Sequence, residues 1–598
     1  MIPGFRTIPA LIQILTCKRH KRAVWEHRPE RRSLSIPKGG FVRPPEPPRS
    51  PTFEPYKTGF VVALLGVRLS LLACPKHRLQ VTAMGKKTRV VIVGGGHNGL
   101  VAAGYLGRAG LNVQVLERRD IVGGAVVTEE WFPGYKISTC SYICHILQKK
   151  VIDDLEMRKY GFHIYPIDPS RVHPFPNGKV LTLWHDDART AEELRKLSPE
   201  DADAWPEWAD FWHRAVRILS DYYLGPPPSL AQLTERFRQE GEEELLETLL
   251  TVPLRDLIDR YFMSDEVRTA VSTGSVDMGD ISAPGSAYIT ALYRFSAFRP
   301  DTENYGIVRG GMGSITQSLA RSAEASGVSI RTGAAVRRVL TNGGRATGVA
   351  LEDGEVMEAD VVLSNADPKR TFLKLLSETD FDEEFVNEVR ALKTRAASAK
   401  FLCALKELPD LSGYLGSGYN PEHLAMITLC PTVDQCESSW HDAKNGRVPD
   451  TPIIHLQIPT VYDKTVAPEG CHVLSLWVYF VPSHVRDGSW QEMRQQFGER
   501  LIDEVCRYAP NFRDAIIDWV LLTPEDIEER IGLTDGNIRH LDMIPQQMMS
   551  RRPLPGWSDY RTPVEGLYLC GAGTHPGGEV TGAPGHNAAH VVLGDLDR

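Results

Sequence analysis

One stretch limits this chain more than any other: the apolar run Val90-Val91-Ile92-Val93 leads directly into Gly94-Gly95-Gly96-His97-Asn98-Gly99-Leu100. A buried strand, a glycine turn and a helix start, in that order, are the parts a dinucleotide-binding unit needs. Gly94 permits the tight turn, Gly96 lets the backbone approach a pyrophosphate, and Gly99 lets helix and strand pack closely. Gly95, His97 and Asn98 complete the turn and join the candidate cofactor site, His97 as a structural member. The helix start offers free N–H groups and roughly half a positive charge to phosphates. Glu117 closes the next apolar run, Asn112-Val113-Gln114-Val115-Leu116, 23 residues after Gly94. A carboxylate there accepts hydrogen bonds from both hydroxyls of an adenosine ribose and repels a 2′-phosphate, which disfavours NADP.

Charge is distributed unevenly. Residues 1–87 hold 17 lysines and arginines against 4 glutamates and no aspartate, so the remainder carries 51 basic and 72 acidic side chains. An acidic body argues against nucleic acid as a partner. The Arg-rich, acid-poor leader has the composition of an organelle-targeting segment, although Met84 offers an alternative start just before the first strand. The stretch 59–74 is apolar but only 16 residues long and broken by Arg68, too short to span a bilayer and compatible with peripheral membrane contact. Pro44-Pro45-Glu46-Pro47-Pro48 reads as a stiff linker. Ten cysteines lie scattered without a pairing rhythm or a metal-ligand cluster, so we expect reduced, buried thiols and no metal.

Three separated pieces look like parts of one nucleotide-binding domain: 88–150, 300–375 and 555–598. The second contains Gly310-Gly311-Met312-Gly313, a helix over 315–325, and a β-meander. That meander is expected over 335–340, 347–351 and 359–366, with turns at Asn342-Gly343-Gly344 and Asp353-Gly354. Two insertions, 151–299 and 376–554, separate the pieces. In the first, Ser198-Pro199-Glu200-Asp201 opens a helix, along which Trp205, Trp208, Trp212, Val216 and Leu219 repeat at helical spacing as a core stripe. Thr523-Pro524-Glu525-Asp526 opens another, and 473–480 reads as a strand.

The second strong signal is C-terminal. The strand-like Leu567-Tyr568-Leu569-Cys570 empties into Gly571-Ala572-Gly573-Thr574-His575-Pro576-Gly577-Gly578, followed by Thr581-Gly582-Ala583-Pro584. Glycine loops at both ends of one chain suit the extended cofactor FAD, whereas NAD usually needs only one. His575, inside this loop, is the best histidine candidate for catalysis, as general base or flavin-tuning donor, against a structural hydrogen-bonding role. His540 is a second candidate, as a cap on the substrate cavity.

Gly94 to Ala103, the run from Glu117 through Gly123-Gly124-Ala125, and the loop from Gly571 to Gly578 together resemble the phytoene-dehydrogenase-like FAD oxidoreductases, over roughly 88–598. The resemblance implies an α/β fold: a Rossmann-type FAD-binding domain assembled from three chain segments, with an inserted mixed α+β substrate domain. Position by position, it implies Gly94, Gly96 and Gly99 at the pyrophosphate and Glu117, with Arg118 beside it, at the adenosine ribose. Gly123 and Gly124 would continue the phosphate and flavin contacts, Val336 would lie beside the adenine, and Gly571, Gly573 and the helix after Gly582 would approach the isoalloxazine. Animal relatives are assigned to mitochondria, in keeping with the basic leader. One departure is Ala125, where many amine oxidases and carotenoid desaturases carry a basic residue.

A dithiol–disulfide reductase needs two cysteines with four residues between them and a second nicotinamide fold. Cys140 and Cys144 have only three residues between them, and no second strand, G-x-G-x-x-G and acid follows. The expected activity is therefore FAD-dependent transfer of hydride from a hydrophobic small molecule, by a dehydrogenase, desaturase or oxidase. The alternatives are a flavin amine oxidase, which an aromatic amine cage would favour, and a flavin-binding mitochondrial regulatory protein with a protein partner and little catalysis.

Overall fold

Strand β1 (Arg89–Val93) lies at the centre of a five-stranded parallel sheet in a computed structural model that describes residues 88–274, 279–293 and 304–597. The leader, with its 59–74 stretch and proline run, lies outside the described residues. Glycines turn β1 into helix α1 (His97–Arg108), which returns to β2 (Asn112–Leu116) beside β1. The next elements come from far along the chain: helix α2 (Gly313–Ala325), β3 (Ser329–Arg331), β4 (Val361–Ser364), β5 (Leu567–Leu569) and helix α3 (Ala583–Leu596). The sheet order is β5-β4-β1-β2-β3. Val90 to Val93 and all of β4 and β5 are buried, as unbroken apolar strands covered on both faces must be.

Close packing of α1 depends on missing side chains. A Cβ on Gly99 would stand 2.3 Å from the Gly94 carbonyl oxygen, and one on Gly585 of α3 would stand 2.1 Å from that of Asn98. The antiparallel meander is Val336–Asn342, Arg345–Leu351 and Val356–Glu358. This corrects the expected third strand. Residues 361–364 leave the meander as β4 and pair with β1, because the run Val361-Val362-Leu363 requires cover on both faces, which the exposed meander lacks.

The insertions hold a second sheet of seven strands, ordered Ile516–Leu522, Ala397–Leu405, His472–Val481, Ile453–Gln457, Met426–Leu429, Arg171–Pro174 and Val180–Leu183. The first insertion is helix-rich as expected, yet it also donates the last two strands, so both insertions share one sheet. Ser198 caps the helix Pro199–Leu219 by accepting from Asp201 N, and Thr523 forms a capping box on Pro524–Ile531. Trp205, Trp208, Trp212, Val216 and Leu219 are buried, and the tryptophans pack in the main apolar cluster.

Candidate functional site

At the C-terminal edge of β1 and β2 the glycine turn is drawn tight. Gly94 adopts φ +98°, a conformation open to glycine, and its N–H donates to the Leu116 carbonyl at 2.8 Å. Glu117 braces the turn: Oε2 accepts from Gly95 N at 2.8 Å and Oε1 from Arg119 N at 2.9 Å. Gly96, at the N-cap of α1, brings no side-chain cap, which leaves the first-turn N–H groups to an anion.

Above this turn lies a cavity of about 280 Å³. Its walls include Gly94, Gly96, His97, Asn98, Glu117, Arg118, Gly124 and Val336, so the structure brings these expected residues together. The other expected glycines stand behind the wall. Gly123 donates to the Gly95 carbonyl at 3.0 Å, Gly571 abuts His540, Gly573 abuts Pro368, and Gly582 is the left-handed N-cap of α3. The C-terminal loop reaches the cavity through Ala572.

Four buried polar atoms on this cavity's lining residues have no partner among the described residues: His97 Nε2, Asn98 Oδ1, Arg370 Nε and His540 Nδ1. A buried polar group without a protein partner needs water, an ion or a ligand to complete it, and four such groups meet around this one cavity. The same residues therefore fit a dinucleotide. A Cβ on Gly96 would meet Asn365 Nδ2 at 2.9 Å, so little beyond glycine fits there.

A second cavity, of about 40 Å³, shares His97, Ala125 and Ile538 with the first. Its remaining walls include Cys140, Tyr142, His145, Trp477, Arg539 and Glu579. Burial alone would raise the Glu579 carboxyl, but Arg539 at 2.7 Å and the nearby His145 hold it at about 2. Burial pushes His97 down to about 4 and His540 to about 3, so both are uncharged at neutral pH.

Lys400 is fully buried in the middle of the strand Ala397–Leu405, in register with Trp477. Nζ lies 4.9 Å from the centroid of Tyr142 and 5.7 Å from that of Trp477, two rings that line the second cavity. Burial lowers this amine to about 7. Its hydrogen-bond partner is Ser475 Oγ at 3.0 Å, which donates in turn to Gln457 Oε1 at 2.9 Å. Nothing in the sequence analysis had selected Lys400. Its signal was present: one lysine inside a nine-residue apolar strand.

His575 lines neither cavity. Its Nε2 donates to the Tyr222 carbonyl at 2.7 Å and burial drops it to about 4, so the geometry gives it a bracing role instead of proton transfer. His540 lines the cavity above the glycine turn and is absent from the lining of the second, aromatic-walled one. Arg552 also escaped sequence reasoning; it is fully buried and donates to the carbonyls of Arg539, Leu541, Asp542, Gln547, Ala572 and Thr574, tying the segment before it to the C-terminal loop. Cys140 and Cys144 are separate buried thiols, each pushed up to about 12 by burial.

With this geometry in place, comparison with known proteins is informative. The family profile of flavin containing amine oxidoreductases matches residues 99–443. Pyridine nucleotide-disulfide oxidoreductase domain-containing protein 2 of Rattus norvegicus is 35% identical over 541 residues, covering 85% of this chain and 93% of the relative. A lycopene-forming phytoene desaturase of Pantoea ananas is 24% identical over 519 residues, covering 84% and 99%. Among solved structures, a triple mutant of putrescine oxidase shares the fold, with a TM-score of 0.56 at 14% identity over 85% of this chain and 98% of that one.

Proposed function

The chain belongs to the flavin-containing amine oxidoreductase family and is a flavin-dependent oxidoreductase, and from that premise we propose that it binds FAD and transfers hydride to it from a hydrophobic small molecule, as a dehydrogenase, desaturase or oxidase. The observation that supports this reading is that the two cavities adjoin, with His97, Ala125 and Ile538 lining both, so that an aromatic-walled chamber lies next to the glycine turn. On this reading 88–150, 300–375 and 555–598 form a Rossmann-type FAD domain, and 151–299 with 376–554 the substrate domain.

The glycine turn and α1 would hold the diphosphate, Glu117 the adenosine ribose, and Val336 the adenine edge. A bound flavin supplies the hydride acceptor, and oxygen, a quinone or another carrier takes the electrons onward. Lys400 accepts the proton that accompanies hydride loss; with its amine at about 7 it is substantially neutral at physiological pH. Tyr142 and Trp477 exclude water from the reacting face. Their ring faces are already engaged by the chain's own lysine. A cationic substrate would have to displace that side chain from the rings, which favours an apolar donor over the amine-oxidase alternative. Similarity to a phytoene desaturase points the same way.

We also assign the protein to mitochondria, on the Arg-rich leader, with peripheral membrane contact there; among the described residues no helix is long and apolar enough to cross a membrane. Fractionation of a full-length fusion tests this. The activity is tested on the purified full chain by its flavin spectrum and by anaerobic additions. Bleaching by an apolar alkene or alcohol is expected, with none by NADH, NADPH or amines. Rapid bleaching by a pyridine nucleotide would overturn the substrate-as-donor reading. FAD binding without reduction by any donor would favour the regulatory alternative.

A further inference from the structure

The anionic diphosphate of a dinucleotide needs positive charge, and the glycine turn offers only backbone N–H groups. No lysine or arginine occurs among Gly94–Gly99 or Gly123–Ala125. Of the side chains lining the 280 Å³ cavity, His97 and His540 are uncharged at neutral pH, which leaves Arg118 and Arg370 as the cations. Arg118 Nη2 donates to the Glu529 carbonyl at 2.7 Å. Arg370 differs. Its backbone N–H is used by the capping Asp367 carboxylate at 2.9 Å, but its guanidinium has no hydrogen bond or ion pair among the described residues, and Nε is buried.

Its placement follows from the fold. Asn365, at the end of β4, turns its amide onto the Gly94 carbonyl at 3.3 Å. The short helix Pro368–Arg370 then begins after two more residues, so Arg370 lines the cavity together with Gly94, Gly96 and Asn365. Arg118 follows Glu117 at the end of β2. Burial and then the nearby Arg370 guanidinium both disfavour the charge on Arg118. Glu117 and Glu352 line the same cavity, but the Arg370 guanidinium has no hydrogen bond or ion pair among the described residues, so it is the cation left to meet an anionic ligand.

We propose that Arg370, supported by Arg118, is the side-chain cation for the cofactor's diphosphate. The inference rests on the reading that the cofactor is FAD. Guanidinium suits the task, because its fork of donors binds two phosphate oxygens at once. The helix end then holds one side of the diphosphate and Arg370 the other.

The test uses the full chain, stripped of flavin, with FAD binding followed by quenching of flavin fluorescence and with ADP and adenosine as competitors. Arg370→Met is expected to weaken FAD and ADP about tenfold at low salt, leave adenosine unchanged, and flatten the dependence of log Kd on log salt. Arg370→Lys, which keeps the charge but not the fork, is expected to recover part of the loss. Equal weakening of adenosine would place Arg370 at the base and overturn the proposal, as would unchanged FAD affinity. If Arg370→Met does not fold, a wild-type FAD affinity that ignores salt refutes it as well. Wild-type protein that takes up no FAD would instead defeat the functional reading on which this one rests.

Discussion

Replacing Lys400 by methionine should make the protein more stable and less active, and the two effects should separate with pH. The amine titrates at about 7 in the folded chain against 10.5 for an ordinary lysine. Between those values the unfolded chain binds a proton that the native one has released, so wild-type stability rises with pH across the window. Below about 7 both states are protonated, and the native state carries the whole penalty of a buried ammonium. At about 1.4 kcal/mol per pH unit, that penalty is about 4–5 kcal/mol. Methionine fills the same channel between Tyr142 and Trp477, but gives up the bond to Ser475, worth about 1 kcal/mol. The expected net gain is therefore about 3–4 kcal/mol below pH about 7, shrinking to nothing or a small loss near pH about 10. Urea unfolding of wild type and Lys400→Met, followed by tryptophan fluorescence at pH about 6, 8 and 10, measures the difference directly. A variant less stable than wild type at the lowest pH, or a difference constant across the window, refutes the reasoning. Flavin reduction by the donor should lose its rise through pH about 7 in the variant.

Gly99→Ala should abolish flavin retention, since its Cβ would lie 2.3 Å from the Gly94 carbonyl oxygen and must break the strand–helix packing; visible flavin absorbance per protein reports it. Arg552→Lys offers fewer donors to six carbonyls, so we expect a loss of about 2–4 kcal/mol and early proteolysis of the C-terminal loop, read by limited digestion. In native protein a maleimide should label Cys471 and Cys506, which are partly exposed, and spare Cys140 and Cys144 until the chain is denatured. Rapid labelling of either of the latter by mass spectrometry would reopen the dithiol chemistry.

The cofactor half was readable because its constraints are local. Gly94 through Gly99 are consecutive, Glu117 follows within one strand, and each has a conformational or hydrogen-bonding reason that short spacing preserves. Capping by Ser198 and Thr523 was legible for the same cause. The substrate half was not. Lys400 becomes unusual only when Trp477 and Tyr142 close over it, and these lie 77 and 258 positions away. Arg370 looks like an ordinary surface arginine until Asn365 fixes its helix against the glycine turn. His575 misled because chain proximity to a glycine loop is not spatial proximity to its ligand: the ring turns toward Tyr222. The strand over 361–364 was recognised as a strand, but its partner β1 is some 270 residues earlier, and pairing is not written in the strand itself.

That pairing also sets a timetable. β1 is synthesised first, β4 joins it about 270 residues later, and β5 with α3 follows after a further stretch of about 200. Pairing over such separations is slow, because the loop must close before its contacts reward it. The sheet edge that carries the glycine turn is therefore among the last parts of the fold to be finished, although its own sequence is among the first to be made. A chain that stops before residue 567 lacks β5 and α3 and leaves the turn without the helix that packs against α1.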